Sequence, residues 1–188
     1  YIYIYNMLSN INATFKLLFN KTKEYFNSSG KTTTENRYYD KISYIDQYSA
    51  MIGEPTYIID NIYLGSAHNA ANYQQLRKLE IKTVINVTKD IYNHYENEFK
   101  YYQHPINDDD TSNISKILKE TYTNIEENKD GNILIHCLMG ASRSCSVILY
   151  YLIKKHKMTL EEALKFVKEK RFVINPNLRF INEIKKLV

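Results

Sequence analysis

The sequence predicts an α/β domain with a central, mostly parallel sheet flanked by helices, preceded by an N-terminal helical extension. Three observations carry that expectation. From Pro55 onward, short β-friendly runs alternate with longer stretches whose apolar residues recur at helical spacing. The run "KTVINVT" is β-branched in the manner of a strand buried inside a parallel sheet. The chain has 188 residues, enough for one compact domain with its own core and an extension besides.

The elements follow in chain order. "MLSNINATFKLLFNKTKEYF" places Leu8, Ile11, Phe15, Leu18 and Phe19 on one helical face. "NSSGKTTTEN" after it is a polar, Ser/Thr-rich linker, so residues 1–50 read as an extension. Its helix is expected to pack on its own domain or on a second copy of the chain, which makes a homodimer one expectation. Its polar face is too weakly basic for a membrane surface. "TYIID" and "IYLG" are short strands, and "SAHNAANYQQLRKL" is one helix with Ala70, Tyr73, Leu76 and Leu79 on one side. "KYYQHPI" is a further strand, "ISKILKETYTNIEENK" a helix, and "NILIHC" the last strand. Three helices close the chain: Arg143 to Lys157, Thr159 to Lys170, and Leu178 to Leu187. Thr159 with Glu162 forms a capping-box pattern, and Pro176 punctuates the final start.

Composition narrows the function. The net charge is only +4 and is spread evenly between residues 1–50 and the remainder, which argues against a nucleic-acid arm. No stretch approaches the roughly 18 apolar residues of a membrane span. "YIYIYNMLSN" lacks a basic n-region and a small-residue cleavage site, so it does not read as a signal peptide. With no Met at position 1, the expectation is a trimmed chain or a natural start at Met7. Two cysteines, Cys137 and Cys145, suit a reducing compartment, hence the cytoplasm or the nucleus.

The chemistry concentrates in "HCLMGASRS", residues 136–144. A strand ending at His136 and a helix starting near Arg143 leave residues 137–142 as a connecting turn at a strand's carboxyl end, where open α/β sheets gather ligands. Backbone amides of Leu138, Met139, Gly140, Ala141 and Ser142, with the positive helix terminus, would cradle an anion. Arg143 adds a planar fork for two phosphate oxygens, and Gly140 permits the tight backbone. Cys137 sits at the centre, where amide dipoles and Arg143 hold its thiol below the free value of about 8.5. Such a thiolate is a nucleophile aimed at phosphorus, and the Ser144 hydroxyl could donate to the sulfur as it leaves. Cys145 reads as a packed helical residue, with a reversible bridge to Cys137 under oxidation as the alternative. Expelling an alkoxide or phenolate requires a proton donor, and "HPINDDDTSNIS" offers Asp108, Asp109 and Asp110. Asp110, with Ser112 or Asn113, also reads as a helix cap. This chemistry calls for no metal and no cofactor.

These residues resemble the dual-specificity protein phosphatases, the compact branch of the cysteine-dependent tyrosine phosphatase superfamily. "HCLMGASRS" is similar to that family's HCxxGxSRS signature at every defined position. "IIDNIYLGSAHNAAN", "IKTVINVT" and "MTLEEALKFVKEKRFVINPNLRFINEIKKL" resemble its opening strands and first helix, its next strand and its closing helices. The resemblance covers roughly Glu54 to Val188, taken as the catalytic domain. It implies hydrolysis of phosphotyrosine and phosphoserine/phosphothreonine in proteins through a cysteinyl-phosphate. It also implies Asp108 as general acid, with Asn113-Ile114-Ser115 as the following step and Asp109 as second choice. His136 would orient the turn, and Asn177 would support it. A phospho-binding relative with weak or no turnover and a phosphoinositide phosphatase are the alternatives.

Some features depart from the pattern. Leu138, Met139 and Ala141 are apolar or small where relatives acting on phosphoinositides or RNA carry basic residues or His. Arg179 stands where the family commonly has glycine and changes the charge near the site mouth. "ENRYYDKISYID" is similar to the phosphotyrosine-recognition loop of the larger, tyrosine-only phosphatases, in which Tyr38 or Tyr39 would wall a deep pocket. The chain has no Trp for their Trp-Pro-Asp loop, so the match reads as chance.

Overall fold

The computed structural model describes residues 44–188. The expected helix over Leu8–Phe19, the linker after it, and Tyr38 and Tyr39 lie outside the described residues. Helix α1 (Tyr44–Ile52) comes first, then strands β1 (Thr56–Ile59) and β2 (Ile62–Gly65), and the short helices α2 (Ala67–Ala70) and α3 (Tyr73–Lys78). Strands β3 (Ile81–Asn86) and β4 (Lys100–Gln103) follow, with helix α4 (Ser115–Glu127) and strand β5 (Asn132–His136). Helices α5 (Arg143–His156), α6 (Leu160–Lys170) and α7 (Leu178–Leu187) complete the chain.

The sheet order is β1-β2-β5-β3-β4. Only β1–β2 is antiparallel; β2–β5, β5–β3 and β3–β4 are parallel. Strand β5 therefore runs down the middle, and its carboxyl end opens between β2 and β3. Its side chains explain why it is central. Ile133 and Ile135 point into a large cluster with residues of α4, α5, α6 and α7, among them Leu118, Ile148, Leu164 and Phe180. Leu134 points the other way, into a smaller cluster with Ala70, Leu76, Val84 and Phe99. A strand covered on both faces needs a continuous apolar run, and "ILI" supplies one. The smaller cluster is edged by aromatic contacts, with Tyr73 set edge-on to Tyr95 and to Phe99.

Three local differences from the sequence expectation have plain causes. The single helix expected over residues 66–79 is two. Asn72 takes the amide of Gln75 on its side-chain oxygen and starts a new helix, while the Ser66–Asn69 capping box starts the first. The strand expected over residues 100–106 stops at Gln103, because Pro105 has no amide to continue the ladder. Helix α5 ends at His156, with Lys157 in the left-handed conformation at φ 59°. Thr159 and Glu162 cap α6 reciprocally, as their spacing predicts.

Helix α1 spans the expected boundary at residue 50 and packs on the residues that follow. Met51 is buried, the Ser66 hydroxyl donates to Met51 O at 2.6 Å, and Asn69 Nδ2 donates to Gly53 O at 2.6 Å. Among the described residues, no helix is long and apolar enough to cross a membrane.

Covering both faces of β5 has a measurable consequence. Ile133→Ala and Leu134→Ala should each cost about 2–5 kcal/mol in urea unfolding. A sheet solvated on one side would make one of the two nearly neutral.

Candidate active site

The turn over residues 137–142 leaves β5 and enters α5, and it is held by its carbonyls. Leu138 O accepts from Ala67 N at 3.1 Å, and Ala141 O accepts from Asn175 N at 2.9 Å. Between them, Arg171 donates through Nη2 to Met139 O at 3.1 Å and through Nε to Gly140 O at 2.9 Å. In a trans peptide the C=O and the next N–H point in opposite directions. Four carbonyls tied outward therefore turn the amides of Met139, Gly140, Ala141 and Ser142 toward the inside of the turn.

Cys137 lies inside that ring, 2% exposed. Its Sγ accepts from Gly140 N at 3.3 Å and from Ser144 Oγ at 3.2 Å. Burial alone would push the thiol up. The Arg143 charge, with the hydroxyl and amide of Ser144, outweighs burial and holds it below its ordinary value. Gly140 has φ +70°, and a Cβ there would stand 2.6 Å from Gly65 O. Only glycine fits on both counts. Arg143 is buried; Nη1 donates to Ile106 O at 3.1 Å, and Nε has no hydrogen-bond partner among the described residues. A buried guanidinium N–H left unpaired costs free energy that an anion in the ring would recover.

The three aspartates separate. Asp109 Oδ1 accepts from Thr111 N, Thr111 Oγ1 and Ser112 N at 2.8–3.0 Å. Burial opposes its charge, yet these bonds hold it down to about 2. Asp109 is thus an ionised staple of its own turn. Asp110 accepts from Asn177 Nδ2 at 3.4 Å, and at the start of α4 Ser115 N donates to Asn113 Oδ1 at 2.8 Å, Asn113 being one of the residues expected at that cap. Asp108 faces the phosphate turn: its Oδ1 accepts from Ser142 Oγ at 2.9 Å. Asn177 N donates to the same Ser142 Oγ at 3.1 Å, which directs the single hydroxyl proton toward Asp108.

His136 is 1% exposed, with Nδ1 placed 3.3 Å from Cys137 O. Burial is the main cause that brings its imidazole down to about 3, so the ring is neutral at working pH. Cys145 is fully buried on α5, and burial pushes its thiol far up, away from the thiolate form. Arg179 donates through Nε to Ser112 O at 2.8 Å.

Sequence reasoning missed Arg171. Lying 4% exposed, it touches two turn carbonyls, Ala50 O and the Thr56 hydroxyl. Burial pulls its guanidinium down to about 10, so it stays charged at neutral pH. The available signal was an arginine inside "KRFVINPN", which has no meaning until α6 is folded beside the turn. Asn175, which ties Ala141, was likewise silent. Among the described residues, no group of three or more His, Cys, Asp or Glu side chains is placed to hold a metal ion.

Comparison with known proteins gives the chain's similarities. The family model described as dual specificity phosphatase, catalytic domain, matches residues 62–187. Dual specificity protein phosphatase 4 of Homo sapiens is 39% identical over 134 residues, covering 70% of this chain and 34% of that protein. Protein phosphatase Slingshot of Drosophila melanogaster is 36% identical over 132 residues, covering 69% of this chain and 13% of that protein. The chain thus spans about a third of one relative and 13% of the other. Among solved structures, the human tyrosine phosphatase-like serine/threonine/tyrosine-interacting protein superposes with a TM-score of 0.69 at 26% identity, covering 71% of this chain and 95% of that one.

Two outcomes follow from the site's electrostatics. In a Cys145→Ser background, the rate of iodoacetamide modification of Cys137 should titrate below the ordinary thiol value. Arg143→Met should move that titration up. Unfolding free energy should fall as pH drops from about 6.5 toward about 3, because the unfolded His136 imidazole takes a proton that the buried ring refuses. His136→Gln should lessen the slope over that interval in urea titrations, leaving the part that His68, His94, Asp109, Glu162 and Glu183 contribute.

Proposed function

The chain belongs to the dual specificity phosphatase family, and from that premise we propose that it is a metal-independent protein phosphatase. Its substrates are phosphotyrosine and phosphoserine/phosphothreonine in proteins, and its route is a cysteinyl-phosphate. The observation that carries the reading is Cys137 Sγ at the centre of inward amides, beside Arg143 with its unpartnered buried Nε.

The reaction has two displacements. In the first, Cys137 Sγ attacks phosphorus, the S–P bond forms and the P–O bond to the substrate breaks. Asp108 gives its proton to the departing oxygen. Amides of residues 139–142 and the Arg143 fork hold the three equatorial oxygens, where the charge of the transition state resides. In the second, water attacks the phosphoryl group, Asp108 takes the water's proton, and the S–P bond breaks. Ser144 Oγ donates to the sulfur and stabilises the thiolate as it leaves. His136, neutral and buried, orients the turn, and Asn177 keeps Ser142 directed at Asp108.

The apolar Leu138 and Met139 and the small Ala141 bring no charge to the turn, which favours phosphoproteins over polyanionic lipid headgroups. Retention of both Cys137 and Arg143 favours turnover over docking alone. The thiolate route suits a reducing compartment, cytoplasmic or nuclear. Residues 54–188 are taken as the catalytic domain and residues 1–50 as an extension.

Cys137→Ser should abolish turnover of phosphotyrosine and phosphothreonine peptides while leaving peptide binding measurable. Asp108→Asn should lower kcat on the phosphothreonine peptide by about 10²–10⁴. Wild-type activity in Cys137→Ser would overturn the covalent route, and binding without turnover in the unaltered chain would favour the docking module. Inositol phospholipid turnover above peptide turnover would favour a lipid substrate.

A further inference from the structure

Asp108 lies on a long irregular segment, residues 104–114, between β4 and α4. A general acid there must be held to within a fraction of an ångström of the leaving oxygen. The first two turns of α7 add to the hold of Arg143, whose Nη1 donates to Ile106 O at 3.1 Å two residues before Asp108. Asn177 Nδ2 reaches Asp110 Oδ1 at 3.4 Å, Arg179 Nε reaches Ser112 O at 2.8 Å, and Glu183 Oε2 accepts from Ser115 Oγ at 2.6 Å. Of these three, only the Arg179 contact grips the segment's backbone, and it is a charge-assisted bond on a half-buried side chain. The Asp109 staple welds Thr111 and Ser112 into one turn with the residue next to Asp108, so a hold on Ser112 O is passed along to the acid.

The same helix end is tied to the phosphate turn. Asn177 N donates to Ser142 Oγ, which donates to Asp108, and Asn177 Oδ1 accepts from Arg179 N. One helix start therefore registers the acid segment against the nucleophile's turn. We infer that Arg179 is a positioning residue: its guanidinium clasps the Asp108 segment against α7 and holds the acid in place for slow leaving groups. The inference rests on the phosphatase reading above. It also specifies that reading, because an aliphatic alkoxide depends far more on the donated proton than a phenolate does. Arg179 is then what sustains turnover of phosphoserine and phosphothreonine esters.

The test compares two leaving groups. Arg179→Met keeps the length and removes the donors. It should lower kcat on a phosphothreonine peptide about tenfold or more. On an aryl phosphate with an acidic phenol, kcat should stay within about twofold, and KM should be unchanged for both. Arg179→Lys, which retains a charged donor, should recover much of the loss. In an Asp108→Asn background, Arg179→Met should cost nothing further, since the side chain acts through the acid. An equal loss on both substrates, no loss on either, or an additive loss in that background would overturn the positioning role and leave the cysteinyl-phosphate route standing. Failure of the unaltered chain on the aryl phosphate would instead overturn the phosphatase reading. If Arg179→Met does not fold by circular dichroism, Arg179→Ala, a strong helix former, carries the same comparison. Collapse of both variants would assign the side chain to stability alone and overturn the inference.

Discussion

The site depends on carbonyls that face away from it. A six-residue turn between a strand and a helix has no intrinsic reason to aim its amides at one point. It does so because Ala67, Arg171 and Asn175 pull the oxygens of residues 138–141 outward. Each donor comes from a different part of the chain: the start of α2, the end of α6, and the loop before α7. The ring is thus a product of the assembled fold, and a sulfur placed inside it inherits a positive potential it did not create.

Two buried guanidinium groups divide the work. Arg143 faces the interior of the ring beside Cys137, and its charge is the largest influence opposing the burial that would otherwise keep the thiol protonated. Arg171 stands behind the ring and spends its donors on carbonyls. A lysine could not replace it, because one ammonium cannot span two turn carbonyls, Ala50 O and a threonine hydroxyl in a fixed plane. Cys145 shows the contrast within one helix turn. It lies fully buried against apolar neighbours and is driven away from the thiolate form.

Much of the fold was legible because periodicity and turn chemistry report local free energy. The β-branched run "KTVINVT" signalled a buried strand, which is β3 with Ile85 in one cluster and Val84 in the other, and the Thr159–Glu162 spacing signalled a helix start. The failures were also local. Asn72 caps a new helix in the middle of a pattern that still looked continuous, and a side-chain cap competes with helix propagation without disturbing hydrophobic spacing. Choosing among Asp108, Asp109 and Asp110 lay beyond composition. Neighbouring carboxylates differ only in what they meet: two backbone amides and a hydroxyl for Asp109, an asparagine of α7 for Asp110, and the phosphate turn for Asp108.

By itself the sequence determined that a strand ends just before a cysteine, that a helix begins at an arginine, and that a glycine makes the turn between them. These are nearest-neighbour facts, written in residues 132–144. The tertiary structure alone decided which way the turn's amides face, which aspartate meets it, and that Arg171 and Arg179 belong to the same site. Those outcomes are set by hydrogen bonds between residues 31 to 71 positions apart in the chain. No local pattern encodes such pairs, because the donors and acceptors become neighbours only after the helices have covered the sheet.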